Sequence, residues 1–200
     1  MTRWFVAMAF LLLLFGCKAE NGLAPLSSDA VVLCFGDSLT YGTGAEPGQG
    51  YPEELARLIN RPVVNSGIPG ETSGEALARL PGELDRTQPK LLILCSGAND
   101  ILRHMELNQA AANLREMVRL AQGRGIGVLL IGVPHWGLGL RPTPFYDVVA
   151  RELNVPLENR VFAKVLAKGE LKADPVHPNA AGYRKVAEAV ASLLARSGGV

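Results

Sequence analysis

The chain has 200 residues, 48% of them hydrophobic, with 20 Lys and Arg against 19 Asp and Glu. It is too apolar for intrinsic disorder and too evenly charged to draw nucleic acid by counterion release. Three cysteines are too few for a disulfide scaffold, and the length suits one compact domain with a sizeable core, or at most two very small ones.

Arg3 supplies a positive start, and residues 4–15 follow without a charge or a strong turn signal. A membrane-spanning helix needs roughly 20 apolar residues; this run has 12, so residues 1–16 read as a signal peptide. The run ends in Leu14-Phe15-Gly16-Cys17, which resembles a bacterial lipobox. That resemblance implies that Cys17 is lipidated and becomes the first mature residue. It also implies a domain held in the cell envelope on the periplasmic side. Lys18 follows, and not an aspartate; the resemblance to enterobacterial sorting signals implies the outer membrane. The alternative is an ordinary cleaved signal in which Cys17 is incidental. Residues 17–29 carry Gly22, Pro25, Ser27 and Ser28 and no hydrophobic period, so they are expected to form a tether, with the domain itself at 30–197.

Strands and helices then alternate. Residues 30–35 are a continuous apolar run, the pattern of a strand covered on both faces. Residues 42–50 hold four glycines and a proline and read as a loop, and 52–60 place Leu55, Leu58 and Ile59 on one helical face. A short strand is expected at 62–65, a helix at 72–85 with Ala76, Leu77, Leu80 and Leu84 inward, and a third strand at 91–95. A helix at 107–122, a strand at 127–133, helices at 144–153 and 161–167 around a short strand at 155–157, and a final helix capped by Asn179 complete the series. Such alternation predicts an α/β three-layer sandwich, a mainly parallel five-stranded sheet with helices on both faces. In such sheets the reacting groups sit beyond the carboxyl ends of the strands.

Those loops hold Gly36-Asp37-Ser38-Leu39, then Asn65-Ser66-Gly67-Ile68-Pro69-Gly70, then Gly97-Ala98-Asn99-Asp100, and, before the last helix, Asp174-Pro175-Val176-His177-Pro178. Taken singly each has an ordinary reading: a turn, a helix cap, a structural histidine. Together, each at a strand end or before the last helix, they resemble the sequence blocks of the GDSL, or SGNH, hydrolase superfamily. The resemblance runs from Val31 to about Leu194 and is nearest to the small periplasmic thioesterase/lysophospholipase and arylesterase members. Thr72-Ser73 and Leu77-Ala78-Arg79-Leu80-Pro81 add to it.

The resemblance implies a flavodoxin-like SGNH fold and a serine esterase working through an acyl-enzyme. Ser38 would be the nucleophile, His177 its base and Asp174 the group that orients His177. The oxyanion donors would be the backbone N–H groups of Ser38 and Gly70 and the side-chain amide of Asn99. The chemistry agrees: a serine hydroxyl is a weak nucleophile without a neighbouring base, and only His177 of the three histidines has an Asp three residues before it. Asp37 and Asp100 are expected to brace loops. No G-x-S-x-G, Walker or dinucleotide glycine pattern is present. The histidines at 104, 135 and 177 lack ligand spacing, so neither a metal nor a cofactor is expected.

Trp136, Leu138 and Leu140 lie in the loop after the fourth strand, where relatives cover an acyl chain; they are either an acyl pocket or a loop packed on the body. Cys34 and Cys95 read as buried free thiols. The expected substrates are aryl or acyl esters, thioesters or lysophospholipids. An O-acetyl esterase of carbohydrate or cell-wall glycan is the alternative, and a non-catalytic lipid-binding lipoprotein on the same fold is a third reading. Expected partners are the small acyl substrate and, through the anchor, a membrane; no nucleic acid is expected.

Overall fold

A computed structural model describes residues 22–136 and 139–200. Cys17, the signal segment before it and Leu138 therefore lie outside the described residues. In chain order the elements are β1 (Val32–Gly36), α1 (Ser38–Tyr41), α2 (Tyr51–Ile59), β2 (Val63–Gly67), α3 (Ser73–Thr87), β3 (Leu91–Cys95), α4 (Ala98–Leu102), α5 (Leu107–Gly123), β4 (Gly127–Ile131), β5 (Pro134–His135), β6 (Arg141–Pro142), α6 (Pro144–Leu153), β7 (Leu157–Glu158), α7 (Val161–Leu166) and α8 (Ala180–Arg196).

Every residue of β1 and of β3 is buried, as continuous apolar strands require when helices cover both faces. The main sheet has the order β2-β1-β3-β4-β7 and every pairing in it is parallel. This is the flavodoxin-like arrangement, with β2 and β7 at the edges. Helix α2 packs on α8, and α7 on α8, in one layer; α3 packs on α5, and α5 on α6, in the other. Local chemistry sets the helix starts. Thr72 and Glu75 form a reciprocal capping box at α3, and the Asn179 side chain accepts the Gly182 N–H at α8.

Three features depart from the sequence pattern. Leu58 is 48% exposed, because α2 turns Tyr51, Leu55 and Ile59 inward at a four-residue spacing. The short helices α1 and α4 and the β5–β6 hairpin are too brief to show a period. Residues 22–29, expected within the tether, lie against the domain: Leu23 and Leu26 pack on the core. Leu23 N donates to Ser197 O at 2.7 Å, Leu26 N donates to Gly199 O at 2.9 Å, and Arg61 Nη2 donates to Leu26 O. Two leucines make too short a pattern to read, and their partners are the last residues of the chain.

Candidate active site

Strand β1 delivers Ser38 to the carboxyl end of the sheet. A Cβ at Gly36 would lie 1.9 Å from the Cys95 carbonyl oxygen of β3, so only glycine allows the two strands to stay paired where the chain turns. Asp37 then caps α1, one carboxylate oxygen accepting the Leu39 N–H at 3.0 Å. Its other oxygen is buried without a hydrogen-bond partner among the described residues. Burial pushes the Asp37 carboxyl up to about 7, against the pull of the Leu39 amide.

Ser38 begins α1 and is half-buried. Its Oγ lies 2.9 Å from His177 Nε2, and His177 Nδ1 lies 2.7 Å from Asp174 Oδ2. The other carboxylate oxygen of Asp174 accepts the backbone N–H groups of Val176 and His177, each at 2.8 Å. Partial burial pushes Asp174 upward, but the hydrogen bonds from His177 and the two amides outweigh it and hold the carboxyl below its ordinary value. An ionised Asp174 can only accept, so His177 Nδ1 carries the proton and Nε2 is left to accept from the serine hydroxyl. The segment bearing this pair is fixed at both ends. Ala173 N donates to His177 O at 2.9 Å, and Asn179 Nδ2 donates to Glu170 O. Tyr183 OH, from α8, donates to Thr43 O just beyond α1 at 2.8 Å.

Gly70 and Asn99 lie after β2 and β3, the two neighbours of β1. Gly70 has φ +83°, a left-handed backbone that glycine tolerates without strain. Its carbonyl accepts Arg103 Nη2 at 2.8 Å, and Asn99 Nδ2 donates to the next carbonyl, Glu71 O, at 2.9 Å. An amide nitrogen has two N–H groups, so this bond leaves Asn99 a second donor. The loop after β2 is thus tied to α4 by Asn99 and to the residue just past α4 by Arg103. Asp100, buried, adds a third tie by accepting Ser73 N at 2.8 Å and Ser73 Oγ at 2.6 Å; Asn113 Nδ2 donates to the same hydroxyl. From the other side Arg79 donates to both Glu71 carboxylate oxygens, to Ser66 Oγ and to Ser66 O. Its guanidinium lies 4.1 Å over the Phe35 ring.

The bracing role of Glu71, Arg79, Arg103 and Asn113 was not read from the sequence, although Arg79 lies in one of the quoted blocks. Polar side chains on helices and in loops read as surface unless a distant partner is known. Asp37 and Asp100 brace loops as expected.

The loop after β4 is a small hairpin in which His135 pairs with Arg141. Trp136 and Leu140 are half-buried on it, Trp136 against the core. The Trp136 indole N–H has no hydrogen-bond partner among the described residues. Exposed apolar side chains stand beside the other three loops: Tyr41 three residues after Ser38, Ile68 two before Gly70, and Leu102 and Met105 shortly after Asn99. Cys34 and Cys95 are free and buried; burial pushes both thiols well above their ordinary value.

A serine hydroxyl aligned on an imidazole and a carboxylate, at the strand ends of a parallel α/β sheet, defines a serine hydrolase. The sequence comparisons narrow the class. The profile of the GDSL-like lipase/acylhydrolase family matches residues 34–185, and the chain belongs to that family, whose enzymes act on ester bonds. The chain is 31% identical over 190 residues to Esterase TesA of Pseudomonas aeruginosa, covering 90% of this chain and 94% of that one. It is 29% identical over 201 residues to the thioesterase 1/protease 1/lysophospholipase L1 of Escherichia coli, covering 96% and 92%. A crystal structure of TesA superposes with a TM-score of 0.74 at 31% identity, covering 84% of this chain and 99% of that chain.

Proposed function

We propose that this GDSL esterase cleaves acyl esters, thioesters or lysophospholipids with Ser38 as nucleophile, His177 as general acid and base, and Asp174 as the group that orients His177. The observation that carries the reading is the unbroken hydrogen-bonded line from Ser38 Oγ through His177 to Asp174. Ser38 Oγ attacks the carbonyl carbon while its proton passes to His177 Nε2. Asp174 keeps the proton on Nδ1 and stabilises the imidazolium. The carbonyl oxygen, now an oxyanion, is met by the N–H groups of Ser38 and Gly70 and the free N–H of Asn99. His177 returns its proton to the departing oxygen or sulfur. It then takes a proton from water as that water attacks the acyl-serine, which releases the acid and restores Ser38.

Trp136 and Leu140, with Leu138, are proposed to border the acyl chain on the β4 side. Exposed Ile68 and Tyr41 would border it on the β2 side. Cys17 is proposed as a lipid anchor that holds the domain in the cell envelope at the outer membrane. The proposed tether would end before Leu23, since Leu23 and Leu26 are packed on the domain. Names of relatives that include esterase, thioesterase and lysophospholipase support acyl substrates.

The test is hydrolysis of p-nitrophenyl esters of graded chain length, a lysophospholipid and an acetylated glycan by wild type and Ser38→Ala. Loss of all activity in Ser38→Ala with an unchanged thermal unfolding curve is expected. Equal activity in both proteins would remove Ser38 from the chemistry, and a strong preference for the glycan would replace the acyl-chain reading.

A further inference from the structure

The two ends of the sheet are used differently. Ser38, Gly70 and Asn99 follow the carboxyl ends of β1, β2 and β3. The chain enters the domain at the opposite end. Leu23 and Leu26 border a hollow with Ala30, Lys90, Leu91 and Gly127, where strands begin. Helix α8 connects the two ends. Asn179 caps it two residues after His177, and 17 helical residues later Ser197 O accepts the Leu23 N–H. At 1.5 Å per residue the helix is about 25 Å long.

We infer that the anchored enzyme turns its active site away from its own membrane, so that its substrates are amphiphilic acyl esters arriving from the solvent side and not lipids of the anchoring leaflet. This rests on lipid attachment at Cys17 and on catalysis at Ser38. Leu23 is six positions after Cys17, and a fully extended chain covers at most about 3.6 Å per step, so the tether reaches about 22 Å. A domain of this length is roughly 40 Å across. Facing the site to the bilayer would lift Leu23 to the far side of the domain, beyond that reach.

Leu23 is not free to lengthen the tether. Besides its hydrogen bond to Ser197 O, its side chain lies 3.3 Å from where a Cβ would stand at Gly127 and at Gly199, so it sits close over both. Tyr41, Ile68, Leu102 and Met105, close in sequence to Ser38, Gly70 and Asn99, are exposed apolar side chains, which suits amphiphiles.

The experiment uses the full lipidated protein in closed vesicles and one fluorogenic ester in three forms. The ester is soluble, or joined by a short linker to a diacyl phospholipid in the same vesicles, or joined to it in separate enzyme-free vesicles. A second protein carries a Gly/Ser insertion of about 30 residues after Lys18, long enough to pass round the domain. The expected result is equal cleavage of the soluble ester by both proteins. Same-vesicle cleavage should rise at least about tenfold in the long-tether protein, because a short linker that cannot span two sites gives almost no effective concentration. Cleavage of the separate-vesicle ester by wild type marks a facing surface as a source; cleavage of the soluble form alone marks dispersed esters; either agrees with the inference. Same-vesicle cleavage by wild type as fast as by the long-tether protein overturns it. An unmodified Cys17 in mass spectra of the same sample defeats the anchor reading instead, and soluble-ester activity in Ser38→Ala defeats the catalytic one.

Discussion

Asn99→Ala tests whether the Asn99 amide is a catalytic donor or only a structural one. In the folded protein one N–H of the Asn99 amide donates to Glu71 O at 2.9 Å, and the other is proposed to meet the oxyanion. Losing the bond to Glu71 should cost about 1 kcal/mol of stability, which lowers Tm by about 2–4 °C in a domain of this size. Losing the donor to the oxyanion should lower kcat by ~10²–10³, or about 2.7–4 kcal/mol of transition-state stabilisation. KM should change little, because a ground-state carbonyl needs the donor less than the oxyanion does. The assay is steady-state hydrolysis of p-nitrophenyl butyrate beside thermal unfolding of the same protein. A lowered Tm with an unchanged kcat would refute the reasoning, since Asn99 would then only hold the loop after β2.

Asp37 should leave a pH signature in stability. Its folded pKa is raised by burial to about 7, with the charges of Glu71 and Asp100 adding to the rise, while an unfolded Asp titrates near ~3.9. Between those values the folded protein keeps a proton that the unfolded chain has lost, so stability falls as pH rises through that window, by a few kcal/mol in all. Asp37→Asn keeps the cap and has no such proton; its urea midpoint should gain on wild type from about pH 4 to pH 8, and parallel curves would contradict the burial argument. Trp136→Ala should shift chain-length preference toward shorter esters, measured as kcat/KM across the series; an unchanged preference makes the loop mere packing. Cys34 and Cys95 should react with a thiol reagent only in denaturant, because both are buried and their thiolates disfavoured; rapid native labelling would show that β1 and β3 open readily.

The alternation of strand and helix was legible because β1 and β3 are apolar at every position, a signal that needs no partner to interpret. Pro144–Leu153 and Leu91–Cys95 fall where the pattern put them. Helices α1 and α4 were not legible, since they are a single turn held by the Asp37 cap and by the loop they follow. For the site, each motif could be placed at a strand end, but its scaffolding could not. Arg79 has meaning only beside Phe35, Ser66 and Glu71, and nothing in its helix announces that it faces them. Leu23 was hidden for the same reason, its partners Ser197 and Gly199 lying at the other terminus.

Ser38 and His177 are 139 positions apart, and the serine follows β1, a strand flanked on both sides by others. The hydroxyl therefore meets the imidazole only after the sheet has formed and the last helix has docked on α2. A chain emerging amino end first holds its serine early and its imidazole almost last. If these two groups act as proposed, activity is a late event in the life of the molecule.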